Sequence, residues 1–363
     1  MSDRKITFRQ QGSVIVVTLW TVILLTILVT VIAGQIRLSS RAAFYHQEEL
    51  GDWANIISAI NQAEMELMLE RMPRPPESID DLNELNRNPF FRFNGQELAL
   101  EYPQAEGITV RIYDHGGKIN LREIGRPRMR ALLEKKLGED ADDQIDDLIA
   151  AWGDWVDLND SAGINGAEND YYENLETPYT QRNGKLETVE EIMHIRGFDE
   201  VFDDVDLDAA FTLYTDDELI NLNLATVEAM QLLPGLDDEL IGEILAFRQE
   251  NEFRGNGDVA QIVPAENMAE LRPWLNSRRT TSFYTIMAYK KIVSDETPFE
   301  DSLQKIVDSF DDSEEVEVDI TTAAFAETVQ ITSPTDNPRI LKINPYQTIP
   351  QRPIIRVEGE FLR

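Results

Sequence analysis

From Ser13 to Ile36 the chain carries no charged side chain, and most of its positions are aliphatic: Val14, Ile15, Val16, Val17, Leu19, Val22, Ile23, Leu24, Leu25, Ile27, Leu28, Val29, Val31 and Ile32, with Trp20 among them. As a helix this run is about 36 Å long, slightly more than the hydrocarbon layer of a bilayer. A core helix of a soluble protein rarely keeps so long a stretch free of charge, so residues 13–36 read as a membrane span. Arg4, Lys5 and Arg9 precede it against a single Asp3. That bias places the N-terminus in the cytoplasm and everything after Ile36 outside it. The remainder is polar enough for water, which leaves one span.

The chain as a whole is strongly acidic. Asp and Glu number 67 against 33 Lys and Arg, for a net charge of -34. Such a surface repels nucleic acid and anionic lipid and attracts divalent cations. Cysteine is absent, which removes disulfides and thiolate metal sites from consideration without fixing the compartment. The histidines, His46, His115 and His194, lack any catalytic context, and no carboxylate pair stands out for acid–base work. The chain does not read as an enzyme.

A secretory signal has a shorter apolar region followed by a small-residue cleavage site. Here the recognisable boundary, Gln10-Gln11-Gly12, comes before the apolar run. That order resembles a type IV prepilin leader. The resemblance implies cleavage by a prepilin peptidase between Gly12 and Ser13, with Ser13 as the N-methylated first residue of the mature chain. Most pilins and pseudopilins carry glutamate at mature position five, where this chain has Val17. The large K-type minor pseudopilin of type II secretion systems characteristically lacks that glutamate.

Downstream of the span, Leu50, Trp53, Ala54, Ile57, Ile60, Leu67 and Met68 recur at helical spacing, so the helix is expected to run on to Met72 before Pro73, Pro75 and Pro76. Leu98 to Tyr102 and Ile108 to Tyr113 read as strands, with Ile108, Val110 and Ile112 on one face. Helices are expected over Met129–Leu137, Gln144–Trp155, Val189–Ile195, Val227–Leu233 and Glu239–Gln249. Within this region Ile119-Asn120-Leu121 and its following helix are echoed by Ile220-Asn221-Leu222 and the next, with a fainter copy at Thr188–Gly197. The second copy, continuing through Pro234-Gly235-Leu236, resembles a helix-hairpin-helix unit. Strand character returns at Ser282–Tyr289. Ser294–Asp319 reads as an amphipathic helix with an acidic loop, and Val316–Ile320, Val329–Ile331, Ile340–Ile343 and Ile354–Phe361 as further strand.

The expected fold is therefore α+β. A long transmembrane pilin helix packs on a small antiparallel sheet, and a large all-α domain of helix-hairpin-helix, SAM-like character is inserted between strands. Residues 1–12 read as leader, 13–72 as the N-terminal helix and 73–118 as the first pilin-like part. Residues 119–279 read as the insertion, and 280–363 as the second pilin-like part with an acidic extension. The order of these parts resembles the K-type minor pseudopilins over roughly Arg9 to Lys291. The resemblance implies an inner-membrane, single-pass protein with a periplasmic body. Its implied partners are the I- and J-type minor pseudopilins, other pseudopilins and the inner-membrane secretion platform. The implied place is the pseudopilus tip, where assembly for export of folded proteins starts.

The densest set of oxygen ligands is Asp154 to Asp160, followed by Gly163, Asn165, Gly166, Glu168, Asn169 and Asp170. Hard oxygens on a glycine-containing loop suit Ca²⁺. Counted from Asp157, the spacing nears an EF-hand loop but puts Ala162 where the glycine belongs. The K-type family carries a similar stretch, here Gly166-Ala167-Glu168 before Tyr171-Tyr172, and the resemblance implies structural calcium. Asp157, Asn159, Asp160, Glu168 and Asp170 are the candidate ligands; an ordinary acidic surface loop is the other reading. The hairpin unit raises an alternative function, a membrane-anchored DNA receptor of the competence type. Against it, the turn reads Gly235-Leu236-Asp237-Asp238-Glu239, which sets three carboxylates where phosphate would lie. The reading is no nucleic acid. Replacing Gly12 by a bulky residue is expected to leave the precursor uncut, measured as the N-terminal mass of the purified chain; normal processing of that variant would refute the leader.

Overall fold

In this computed structural model, residues 11–72, 88–100, 107–215, 217–276, 280–290 and 324–347 are described. Most of the leader, the proline stretch after Met72, Glu101-Tyr102, the acidic segment 294–319 and the strand expectations at 316–320 and 354–361 lie outside these residues. The chain falls into two units, Met1–Asn55 and Ile56–Arg363.

Helix α1 spans Gln11–Glu70. Gly12 and Ser13 stand in its first turn. In the first unit, Val16–Arg37 has a mean hydropathy of 2.7 with none of its residues buried, and among the described residues it is the one helix long and apolar enough to cross a bilayer. Its threonines fit that solvent. The hydroxyls of Thr21, Thr26 and Thr30 each donate to a carbonyl three or four residues back, at 2.8 Å. These three hydroxyl protons are satisfied within the helix, without water.

In the second unit, five antiparallel strands form one sheet in the order β1-β2-β5-β6-β7. They are β1 (Asn94–Glu97), β2 (Ile108–Asp114), β5 (Phe283–Lys290), β6 (Ala324–Gln330) and β7 (Arg339–Gln347). Alternation along β2 puts Ile108, Val110 and Ile112 on one face, joined there by Tyr284, Ile286 and Ala288 of β5 and by Phe325 and Val329 of β6. Ala59, Ile60, Ala63 and Leu67 of α1 pack on that face. Leu50 and Trp53, which share the helical spacing, are more than half exposed. Periodicity marks a helix face but cannot say where along it the sheet lies. The first strand also sits earlier than its sequence suggests. Gly95, in the left-handed region at φ +78°, bends β1, and a side chain there would overlap the Tyr113 ring. Leu98 is held to β2 by a bond to the Val110 carbonyl.

Between β2 and β5 the chain folds into helices around a separate apolar core. In order these are β3 (Ile119–Asn120), α2 (Arg126–Leu137), α3 (Asp142–Val156), α4 (Asn169–Tyr172), α5 (Phe198–Phe202), α6 (Leu207–Ala210), β4 (Phe211–Thr212), α7 (Val227–Leu232), α8 (Asp238–Glu250), α9 (Asn256–Val259) and α10 (Ala265–Leu271). Val189–His194 is a 3-10 helix. The two clear sequence echoes adopt the same local device. Ile119 pairs in parallel with Phe211, and Ile220 with Leu275. Asn120 then accepts from the Arg122 amide, as Asn221 does from Asn223, each at 3.0 Å. Each buried asparagine turns the chain from extended pairing toward the next helix.

The two ends of the insertion meet at Asp114, which is wholly buried. Its carboxylate accepts from the Gly116 amide at 2.8 Å and from both the amide and the hydroxyl of Thr281, the latter at 2.7 Å. Next to it, His115 bridges Thr212 of β4 at 2.7 Å and Thr285 of β5 at 2.8 Å.

One acidic contact in the helix–sheet layer carries a pH signature. Glu64 of α1 is hydrogen-bonded to Glu327, which is 8% exposed. Burial, then the charge of Glu327, pushes the Glu64 carboxyl up to about 7. A carboxyl raised on folding contributes stability fully present below its ordinary value of 4.5 and lost as pH rises through about 7. Glu64→Gln is therefore expected to flatten the decline in stability between pH 5 and pH 8, measured by urea unfolding of the detergent-solubilised chain; parallel pH profiles would contradict the contact.

Candidate functional site

The acidic loop is built on the end of α3. Ile145, Leu148, Ala151, Trp152 and Trp155 bury one face of that helix, and Trp155 meets Tyr172 edge-on with ring centroids 5.1 Å apart. Asp154 is 5% exposed because the following loop folds back over it. Gly163 donates its amide to both carboxylate oxygens, at 3.2 and 3.0 Å. Gly166 makes the return possible, since a Cβ there would stand 1.8 Å from Asp154 Oδ2. Asn165, at φ 60°, is a residue type that tolerates the left-handed region. From the other side Arg196 donates to the carbonyls of Asn165 and Gly166, and its guanidinium lies over the Tyr171 ring.

The five candidate ligands are treated differently. Asp157 accepts from the Asn159 amide and Asn159 from the Ser161 amide, so both carbonyl-type oxygens shape the turn. Asp160 is exposed and accepts from the Asn183 side chain. Glu168 is 5% exposed, and its Oε2 accepts from the Gln181 amide nitrogen, which also donates to Asn183 Oδ1. Asp170 stands exposed in the first turn of α4, its backbone carbonyl bonded by Asn174. The structure thus links Asp160 and Glu168 through Asn183 and Gln181, and Asp170 has no part in that chain. Burial, then the charge of Asp154, pushes the Glu168 carboxyl up, with smaller contributions from Asp157 and Asp160; the bond from Gln181 pulls the other way.

Among the described residues no three Asp, Glu or His side chains stand close enough to form a cation cluster by themselves. The wider donor set does fit a hard cation. It is made wholly of carboxylate and amide oxygens, and Glu168 Oε1, a buried oxygen, has no hydrogen-bond partner. Asp154, Gln181 and Asn183 were not among the ligands chosen from the sequence. Asp154 lay within the acidic stretch, but nothing in local spacing marks Gln181 or Asn183.

The hairpin turn after α7 has a different character. Gly235, at φ +78°, packs where a Cβ would stand 2.3 Å from the Asn267 carbonyl oxygen. Asp237 accepts from the Leu240 amide and so caps α8, with Asp238 and Glu239 in its first turn. Carboxylates occupy the helix N-terminus that a phosphate would need.

An exposed apolar helix, an antiparallel sheet and a helical insertion with its own core define an α+β protein. Within it, residues 92–202 match the family model for type II secretion system protein K. The type II secretion system protein K of Pectobacterium carotovorum subsp. carotovorum is 29% identical over 121 residues, covering 29% of this chain; the chain thus spans 37% of that relative's length. A likeness to the GspK-GspI-GspJ complex from the type 2 secretion system of enterotoxigenic Escherichia coli has a TM-score of 0.49 at 15% identity, over 84% of this chain and 98% of that one.

Gly166→Ala is expected to destabilise the chain by about 1–3 kcal/mol, the usual cost of overpacking, because its methyl group collides with Asp154. Gly184→Ala, which meets nothing within 4 Å, serves as the control. Urea unfolding of both variants measures the difference, and equal midpoints would show that the loop does not close on Asp154.

Proposed function

We propose that this chain is a minor pseudopilin of a type II secretion system, placed at the pseudopilus tip and starting its assembly with the I- and J-type minor pseudopilins. The observation that carries the reading is the match of residues 92–202 to the type II secretion protein K family model, on a chain whose N-terminal helix presents an exposed apolar surface. After prepilin peptidase cuts between Gly12 and Ser13, the apolar helix stays in the inner membrane with its body in the periplasm. From there it passes into a bundle of like helices. Val17 suits a terminal position, because a subunit with no neighbour beyond it has no buried amino group there to neutralise. The insertion between β2 and β5 suits it too, since a helical body of that size obstructs any subunit stacked above.

Calcium held at the loop following α3 would supply positive charge among Asp154, Asp157, Asp160 and Glu168. Those residues would bind it through oxygen, and Arg196 would hold the loop backbone that presents them. The DNA-receptor alternative finds no support at the hairpin, where Asp237 already caps α8.

Co-expression of the full chain with the I- and J-type minor pseudopilins of its own system, followed by affinity purification in detergent, tests the assignment. Retention of both partners in fixed proportion is expected. Recovery of the chain alone, or a gel shift of duplex DNA at low salt, would overturn it.

A further inference from the structure

We propose that Gln181, which lies outside the acidic stretch, is itself a cation ligand and closes the loop's oxygen cradle through Oε1. The inference rests on the calcium reading above and goes beyond it by assigning a ligand on a separate segment.

Two buried side-chain oxygens in this part of the fold have no hydrogen-bond partner, Glu168 Oε1 and Gln181 Oε1, and they belong to residues in direct contact. Both residues are 5% exposed, so neither oxygen is satisfied by bulk water. An orphaned oxygen on one side chain is an isolated defect; orphans on two side chains that are bonded to each other describe a place where positive charge is missing. The Gln181 nitrogen meanwhile stands between Glu168 Oε2 and Asn183 Oδ1, acting as the local donor among acceptors. An amide offers NH₂ at one end and C=O at the other, and a half-turn about its last torsion exchanges them. The NH₂ end serves the carboxylate when no cation is there. The C=O end serves a cation.

The backbone holds Gln181 in place for either role. Its own amide donates to Asn169 Oδ1 at 3.0 Å, which fastens the segment to the start of α4 immediately after Glu168. Asn183, at φ 52°, turns the chain so that its side chain reaches Asp160. The segment 181–183 thereby spans the open side of the acidic loop. Carboxylates alone fall short of a cluster here, and calcium accepts amide oxygens readily. Gln181 supplies the missing donor without adding to an already acidic site.

The test uses the full chain in detergent micelles, titrated with CaCl₂ by calorimetry and with TbCl₃ by luminescence excited through Trp155. Gln181→Met keeps the volume and removes the oxygen; Gln181→Glu keeps the oxygen and adds charge. Urea unfolding in EDTA establishes that each variant is folded. Gln181→Met is expected to weaken Ca²⁺ binding about tenfold or more. Gln181→Glu is expected to be less stable than the parent in EDTA, to recover that stability in Ca²⁺, and to bind at least as tightly. A role confined to the hydrogen bond with Glu168 predicts the opposite for Gln181→Glu, a loss that calcium leaves unchanged. If the parent chain binds Ca²⁺ and Gln181→Met binds equally well, the assignment of Gln181 is wrong while the loop reading stands. If the parent chain gives neither heat nor Tb³⁺ luminescence, the loop reading fails and the ligand assignment with it.

Discussion

The Asp114 carboxylate holds together two parts of the chain that local sequence would leave far apart. It ends β2, where the chain leaves the sheet, and it accepts the amide and hydroxyl of Thr281, where the chain comes back. The Thr281 carbonyl in turn accepts from Arg71 at 2.6 Å and from the Tyr284 hydroxyl at 2.9 Å, which brings in the residue that follows α1 and the start of β5. A buried carboxylate is costly without such donors. Burial pushes it up to about 6, even though bonds from Gly116 and Thr281 and the charge of Arg71 act in the other direction. With the exit and return points fixed side by side, the sheet can pair β2 directly with β5 across a long excursion, and closing that excursion adds only a slowly growing entropy cost.

Two cores follow from that arrangement. The sheet core takes its apolar groups from alternate strand positions and from one face of α1; the insertion core takes its groups from short helices and from Trp152, Trp155, Phe198, Phe202 and Phe211. Polar contacts join them. His115 spans Thr212 and Thr285, and Lys342 of β7 reaches Glu190 at 2.6 Å and Asp208 at 2.7 Å. His115 is held well below its ordinary range by burial, with Lys118 adding to the effect, so a neutral ring makes this bridge. Part of the excess of acid is accommodated at helix starts, where Asp206, Asp237 and the first turn of α3 face exposed amides. Around Glu168 it is not, and that is where the oxygens lack partners.

Much of this could be read in advance. α2, α3, α7 and α8 emerge at the positions their apolar spacing indicates, because each buries a stripe against a core large enough to reward it. Ile108, Val110 and Ile112 share a face as strand alternation requires. The short helices α5, α6 and α9, of four or five residues, carry too few turns for a period to show. Val189–His194 has helical spacing yet settles as 3-10, ending in a bond from Ile195 to the Ile192 carbonyl. β1 exists through its ladder with β2, and a stretch reading Asn-Gly-Gln-Glu announces no strand by propensity.

The sequence by itself determined the apolar span, the helices with several turns, the acidic loop and the absence of thiol chemistry. Each of these is a property of neighbouring residues, set by hydropathy, period or charge. Only the tertiary structure decided that Thr281 answers Asp114, that His115 links the sheet to the insertion through threonine hydroxyls, and that Gln181 rather than Asp170 stands against Glu168. Those pairings join residues far apart in the chain or on separate segments, and their energy comes from burial shared between partners. No local pattern records it, because neither partner is buried until both are in place.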